Sequence, residues 1–201
     1  MPVVALVFLA LCFVTLFVLR TALHWWRTGE TGMHLFSDPV GSPAWWAGAS
    51  GLLALAAAAA APLAAIGGLA GGIAPTGFAA VHAVGLLACA AGLVGCLWAQ
   101  LSMGASWRIG VAADQKTELV THGIYAHVRN PIFSFMVVSA AGLCLLVPNA
   151  LSVAALALTV VCVELQVRVV EEPYLRRVHG DSYAAYTAKV GRFVPGIGRM
   201  A

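Results

Sequence analysis

The chain has 201 residues, of which 61% are hydrophobic and only 9% are charged, and its mean hydropathy is +0.91. Soluble domains carry about 25% charged residues, so the composition excludes an ordinary soluble domain and predicts one polytopic membrane domain over residues 1–201. The net charge of +3 is too small and too scattered to indicate nucleic acid as a partner. The five cysteines all lie inside apolar runs without a C-x-x-C pair, so they are interpreted as small buried side chains rather than metal ligands.

Five apolar runs define the predicted elements, since a spanning helix needs about 20 mostly apolar residues. They cover residues 3–19, 44–66, 78–103, 131–147 and 150–163. The last run is short, so its helix is expected to continue through Glu164 toward Arg168. The fold class is therefore predicted to be all-α, with about five transmembrane helices and a cytoplasmic C-terminal helical segment. Residues 1–103 hold the first three spans, and residues 104–201 hold the chemistry.

Basic residues give the orientation of the predicted spans, because cytoplasmic loops carry an excess of Lys and Arg. Every Lys and Arg follows the first, third or fifth span, whereas the loops after spans two and four contain no charge. This asymmetry predicts an outside N-terminus and a cytoplasmic C-terminus. Spans four and five are joined by Pro148 and Asn149 alone, so they must form an antiparallel hairpin. The hairpin brings two polar stretches, 117–133 and 164–174, together at the cytoplasmic face.

The later polar stretch places four charged side chains on one face of a helix: Glu164, Arg168, Glu171 and Glu172. An ionisable side chain at the edge of the hydrocarbon needs a partner, and Arg168 is expected to pair with Glu164. Pro173 removes a backbone donor and is expected to kink the helix beside the two later carboxylates. A kinked backbone next to paired acids indicates a binding site. A plain ion pair followed by a solvated acidic helix end remains the alternative.

The earlier polar stretch ends at a predicted helix start, with Asn130 as N-cap and Pro131 in the first helical position. A helix N-terminus favours anionic groups, and this one lies beside Arg129. Tyr125 and His122 can supply an aromatic face and a hydrogen-bonding edge. A plain helix cap also explains Asn130 and Pro131, so that alternative stays open. The two histidines of the stretch are five residues apart, a poor spacing for a helical metal site, and no metal is predicted.

Two motifs in order, with the predicted hairpin between them, resemble a known family. L-V-T-x-G-x-Y-x-x-x-R-N-P-x-F begins at Leu119, and E-E-P-Y-L, followed by H-G-x-x-Y-x-x-Y, begins at Glu171. Over residues 103–199 the chain resembles the isoprenylcysteine carboxyl methyltransferase and phospholipid methyltransferase superfamily. The resemblance implies an integral membrane enzyme that uses S-adenosylmethionine, often on a five-span core. Tyr183 and Tyr186, in the last motif, are expected to pack onto the membrane interface or over the site.

The resemblance also implies roles for residues at the matching positions. It places Arg168 near the reacting group and Glu171 or Glu172 in contact with the cofactor. In the earlier stretch, the residues predicted to line the cofactor pocket at matching positions are Thr117, Glu118, Leu119, Val120, Tyr125, Asn130, Pro131 and Phe133. His122 and Arg129 of the same stretch are predicted to line it as well. The family usually has R-H-P-x-Y, whereas this chain has Asn130 and Phe133 in place of the His and the Tyr. Because an amide does not titrate, Asn130 is expected to hold the cofactor rather than to move protons.

The predicted function depends on which nucleophile accepts the methyl group. Methyl transfer from a sulfonium is an in-line displacement, so positioning of the two reactants does most of the work. A carboxylate is already ionised near neutral pH and needs only a cation to orient it, a role that Arg168 fits, whereas an amine must lose a proton to Glu171 or Glu172. Arg168 therefore favours O-methylation of a lipid carboxylate, such as a fatty or isoprenoid acid. N-methylation of an amino-phospholipid, S-methylation of a small thiol and a non-catalytic membrane scaffold are the alternatives.

Overall fold

The structure is a computed structural model that describes residues 1–33, 39–73, 79–107 and 118–200. Thr117, one of the predicted cofactor-binding residues, lies outside the described residues. Within these ranges the α-helices are α1 Pro2–Thr28, α2 Pro43–Ile66, α3 Ala79–Ser102, α4 Pro131–Leu146, α5 Ala150–Leu165 and α6 Glu172–Lys189. Two short 3-10 helices, Gly104–Ser106 and Gly123–Ala126, lie between α3 and α4. The described residues contain isolated β-bridges but no strand.

Four helical stretches are long and apolar enough to cross a membrane: α1, α2, α3 and Ala150–Lys189, which joins α5 to α6. The fourth predicted span corresponds to α4, which has 16 residues. At 1.5 Å per residue it is about 24 Å long, shorter than a hydrocarbon core of roughly 30 Å. The prediction of an all-α polytopic membrane fold is confirmed. Among the described residues, four helical stretches are long enough to span a membrane, and α4 is a shorter apolar helix packed among them.

The contact between α3 and α4 is the most extensive helix packing in the described bundle. Gly85, Gly92 and Gly95 of α3 are buried on the side that faces α4. A Cβ atom on Gly142 of α4 would lie 2.7 Å from the backbone nitrogen of Cys89, so the two backbones touch at this crossing. A face of small residues on α3 therefore allows the close approach of α4. It holds the first turn of α4 against the last turns of α3.

The predicted hairpin between α4 and α5 is also confirmed. Asn149 caps α5, because its side chain accepts a hydrogen bond from the Ser152 nitrogen at 2.9 Å while Ser152 Oγ accepts one from the Asn149 nitrogen at 3.1 Å. Asn149 Nδ2 also donates to the Ala61 carbonyl of α2, at 3.1 Å. The turn is therefore fixed to α2. The start of α4 and the end of α5 return together to the opposite end of the bundle.

Two π-helical turns interrupt the regular helices, Val14–Leu19 inside α1 and Gln166–Glu171 between α5 and α6. The second turn ends two residues before Pro173, at which the sequence predicts a kink, and the backbone leaves helical geometry further along, at Gly180 (φ 50°, ψ −125°). A π turn spans one more residue than an α turn, so the helix beyond it is rotated by about 100°. Arg168 is exposed within the turn, whereas Glu172 just after it is buried. The prediction that all four charged side chains share one helix face is wrong for this reason.

Candidate active site

A cavity of about 870 Å³ runs from the apolar middle of the bundle to the ends of α3 and α5. Its apolar arm is bordered by α1, α2 and α4, through side chains such as Phe8, Leu55 and Leu143. Its polar end is bordered by Tyr125 and Glu171, and the two π turns both contribute to its walls. Pockets that hold drug-sized molecules have volumes of about 300–1,000 Å³. The cavity is therefore large enough for a cofactor and part of a lipid chain.

Most of the predicted cofactor-binding residues border this cavity. They are Glu118, Leu119, Val120, Tyr125, Arg129, Asn130, Pro131, Phe133 and Glu171. Three other predicted site residues do not border it: His122 and Arg168 are exposed, and Glu172 is buried in an ion-pair cluster. The two polar stretches do meet, and the α4–α5 hairpin brings them together.

Arg168 forms the expected ion pair with Glu164, four residues earlier in the helix. Its side chain is 55% exposed and that of Glu164 is 39% exposed, so the pair lies on the outer surface of the helix. An exposed ion pair contributes only about 0–1 kcal/mol to stability. The guanidinium of Arg168 is thus not at the cavity, where a carboxylate acceptor would need it.

Arg129, Glu172 and Arg192 form a buried cluster, the tail clamp, that fastens the C-terminal tail to the bundle. Arg129 Nη2 lies 2.8 Å from Glu172 Oε1, and Arg192 donates to both carboxylate oxygens, through Nε at 2.8 Å and Nη2 at 2.9 Å. Arg129 also donates to the carbonyls of Thr187 and Val190, at 3.2 and 2.6 Å. Hydrogen bonding to Glu172 raises the pKa of Arg192. The negative charge of Glu172 is therefore balanced by the guanidinium groups of Arg129 and Arg192.

The tail also pairs with the start of α4 through the backbone. The amides of Arg129 and Asn130 donate to the carbonyls of Gly191 and Arg192, at 2.9 and 3.1 Å. Asn130 occupies the expected N-cap position before Pro131, but its side chain makes no cap hydrogen bond and instead donates to the Arg192 carbonyl at 3.2 Å. The tail therefore covers the helix start that the sequence suggests for anionic groups. Sequence analysis missed Arg192, because one basic residue in a tail broken by Gly and Pro carries no periodic signal.

Three tyrosines form one wall of the polar end of the cavity. Tyr186 Oη donates to the Tyr125 carbonyl at 2.6 Å, and Tyr125 Oη donates to the Ala99 carbonyl at 3.4 Å. Tyr183 is buried beside Tyr186, with ring centroids 6.2 Å apart. Burial, and after it the charge of Glu171, raise the pKa of Tyr125, so its hydroxyl stays protonated. Tyr183 and Tyr186 therefore pack over the cavity, one of the two placements expected from the sequence.

Glu171 is a cavity carboxylate that lies outside the tail clamp. It ends the second π turn and accepts a hydrogen bond from Gln166 Nε2 at 3.3 Å. Its neighbour Glu172 points into the clamp, so two adjacent carboxylates have different surroundings. A half-buried carboxylate between aromatic walls suits a cationic ligand or a proton transfer. In the described part of the chain, no group of three or more His, Cys, Asp or Glu side chains is placed to hold a metal ion.

The fold defines a multi-pass, all-helical membrane protein with a polar site at one end of an apolar cavity. The chain belongs to the phospholipid methyltransferase family, whose model matches residues 80–182, just over half of its length. The matched range contains α3, α4, α5 and Glu171, and it ends before Tyr183, Tyr186 and Arg192.

Among solved structures, the chain is similar to a eukaryotic intramembrane Ras methyltransferase, isoprenylcysteine carboxyl methyltransferase. The TM-score is 0.60 at 21% sequence identity, and the match covers 91% of this chain. This chain spans 62% of the length of that enzyme, and at this identity the likeness shows the fold alone. No curated protein matches the chain significantly.

Proposed function

We propose that this protein transfers a methyl group from S-adenosylmethionine to the amine of a lipid-like acceptor. The observation that carries the proposal is the cavity, because it joins an apolar arm of the bundle to an end that contains Glu171 and tyrosine side chains. A lipid chain suits the apolar arm, and its head group would then lie among the polar side chains. Membership of the phospholipid methyltransferase family supports the same reaction class.

The residues at the polar end suit S-adenosylmethionine. Leu119, Val120 and Phe133 provide apolar surface, and the tyrosines provide faces that attract a cation. The carboxylate of Glu171 complements a ligand that carries positive charge. When bound, S-adenosylmethionine supplies an electrophilic methyl group on a sulfonium. Asn130 borders the same region and cannot titrate, so its role is to support binding rather than to move a proton.

The charge around the cavity favours an amine over a carboxylate acceptor. Among the described residues, Arg129 is the one Lys or Arg that borders the cavity. Its guanidinium is already bound to Glu172 and to backbone carbonyls. Arg168, on which the carboxylate prediction depends, is exposed and paired with Glu164. Glu171 remains at the cavity, and a carboxylate at this position can take the proton that an ammonium must lose before it attacks.

Methylation of a lipid carboxylate is the second candidate. It is supported by the likeness of the fold to isoprenylcysteine carboxyl methyltransferase. The two candidates differ in the charge that the site must complement, since a carboxylate needs a cation and an ammonium needs a base.

A labelling experiment separates the candidates. The full chain, purified in detergent, is incubated with methyl-labelled S-adenosylmethionine and, in separate reactions, phosphatidylethanolamine, a long-chain fatty acid and a small thiol. We expect label in the phosphatidylethanolamine product. Label confined to a methyl ester would overturn the amine assignment in favour of the carboxylate. A melting curve with S-adenosylmethionine tests the enzyme class itself, because a ligand that binds only the folded state must raise the melting temperature.

We further propose that the polar end of the cavity faces the cytoplasm, as the distribution of Lys and Arg indicates. S-adenosylmethionine would then reach the site from the cytoplasmic side. Reporter fusions at the C-terminus test this orientation: fluorescence of a cytoplasm-dependent reporter is expected, and activity of a reporter that works only outside would reverse the assignment.

A further inference from the structure

A second buried polar group of residues lies where α1 meets α3, outside the residues that the proposed reaction uses. We name it the α1–α3 cluster; it consists of Arg20, Gln100 and Trp107. Arg20 Nη2 donates to the carbonyls of Gln100 and Gly104, at 3.3 and 3.0 Å, and its guanidinium lies 4.3 Å from the centroid of the Trp107 ring. A cation at the C-terminal end of a helix is favourable. Arg20 therefore fixes the last turn of α3 in place.

The side chain of Gln100 has a defined orientation. Its Nε2 donates to the carbonyl of Leu16, at 3.3 Å, within the π turn of α1. Since a carbonyl can only accept, the amide nitrogen must point toward Leu16 and the amide oxygen must point away from it. Gln100 is 6% exposed, and it borders the cavity. Its Oε1 is buried and has no hydrogen-bond partner among the described residues.

An unpaired buried acceptor is costly and calls for an explanation. Gln100 directly follows Ala99, whose carbonyl accepts the hydrogen bond from Tyr125 Oη. Tyr125 and Glu171 border the same cavity as Gln100. The acceptors that line the cavity therefore include Glu171 from the second π turn and Gln100 from α3.

We propose that Gln100 Oε1 accepts a hydrogen bond from an N–H group of the amine acceptor and orients its lone pair toward the methyl donor. This inference rests on the proposed amine methylation. Glu171 takes one proton from the ammonium. The freed nitrogen lone pair then forms the N–C bond while the C–S bond of the donor breaks, and the sulfur keeps the electron pair of that bond.

The contribution of Gln100 depends on how many methyl groups the acceptor already carries. After it loses a proton, a primary amine has two N–H groups, a monomethylated amine has one and a dimethylated amine has none. Gln100 can therefore orient the acceptor in the first and second transfers but not in the third. Glu171 is needed in all three, because every acceptor begins as a protonated amine.

Two variants of the full chain test this assignment on phosphatidylethanolamine and on its monomethyl and dimethyl derivatives. Gln100→Leu and Gln100→Glu both lose the donor to the Leu16 carbonyl, but only Gln100→Glu keeps an acceptor. We expect Gln100→Leu to lower kcat/KM for the primary amine about tenfold, the effect of losing one hydrogen bond, and to leave the dimethyl substrate unchanged. Gln100→Glu should retain most of the activity on the primary amine. Without S-adenosylmethionine, a short-chain primary amine lipid should stabilise the wild type more than Gln100→Leu.

Equal losses on all three substrates would overturn the inference, since Gln100 would then act on the fold or on the cofactor. No loss on the primary amine would overturn it as well. A wild type that methylates none of the three substrates would instead overturn the proposed function, which keeps the two failures distinct. A melting-temperature shift with S-adenosylmethionine verifies that each variant is folded, and Gln100→Met, of similar length, replaces Gln100→Leu if that variant shows no shift.

Discussion

The tail clamp and the α1–α3 cluster both bury an arginine close to the same cavity, but they use its charge differently. In the tail clamp, Arg129 meets the carboxylate of Glu172, which Arg192 also binds through both oxygens. In the α1–α3 cluster, Arg20 donates to backbone carbonyls, and the neighbouring Gln100 has an oxygen without a partner among the described residues. A carboxylate whose two oxygens both accept hydrogen bonds within the protein is poorly placed to bind a ligand. An unpaired acceptor at the wall of a cavity can accept a hydrogen bond from a ligand.

The largest effect is expected when the tail clamp loses its carboxylate. Glu172→Gln leaves two guanidinium groups beside a neutral amide, and Arg129 is nearly fully buried. Removal of one partner from a buried ion pair costs about 3–5 kcal/mol, so we expect a large fall in melting temperature and loss of the shift caused by S-adenosylmethionine. Glu164→Gln, which breaks the exposed pair with Arg168, is the matched control and should change the melting temperature little. A change in Glu172→Gln as small as that expected for Glu164→Gln would show that the clamp does not stabilise the protein.

A large kinetic effect with an intact fold is expected at Glu171. Glu171→Gln removes the proposed proton acceptor, and loss of a general base costs about 10²–10⁴ in rate. We expect kcat on all three amine substrates to fall by at least about a hundredfold, while the melting temperature without ligand stays near that of the wild type. The stabilisation by S-adenosylmethionine should weaken, because Glu171 also complements its positive charge. Asp181→Asn, which changes an exposed carboxylate of the tail, serves as the control. Unchanged turnover in Glu171→Gln would show that Glu171 is not the general base.

A smaller and more selective effect is expected at Arg20. Arg20→Met keeps most of the apolar length but loses the donors to the carbonyls of Gln100 and Gly104. We expect a loss of about 1–2 kcal/mol in stability. Relative to the wild type, kcat/KM should fall more for the primary amine than for the dimethyl amine, because Arg20 acts through the position of Gln100. Arg27→Met, at the exposed end of the same helix, is the control. Equal losses on both substrates would limit Arg20 to a structural role.

The sequence was sufficient for the all-helical fold and for the meeting of the two polar stretches, because both depend on local signals. Runs of apolar residues locate the helices, and the short link at Asn149 dictates the hairpin that joins the two polar stretches. The sequence was not sufficient for the directions of Arg168 and Glu172, since one π turn rotates the rest of the helix. It also gave no sign that the tail returns to place Arg192 on Glu172. Gln100 does have a sequence signal, because a single polar residue inside an apolar run is itself an indication of function.

The smallest effect is expected at Arg168, where the two acceptor candidates make opposite predictions. Its side chain is 55% exposed and paired with Glu164 at the outer surface, so Arg168→Ala should change stability by less than about 1 kcal/mol. If the acceptor is an amine, methylation of phosphatidylethanolamine should continue at nearly the wild-type rate, because the variant leaves Glu171 and the cavity walls intact. If the acceptor is a carboxylate that Arg168 orients, methyl ester formation should collapse in this variant. Rates measured side by side on phosphatidylethanolamine and a long-chain fatty acid therefore decide whether this exposed arginine, or the acceptors inside the cavity, select the substrate.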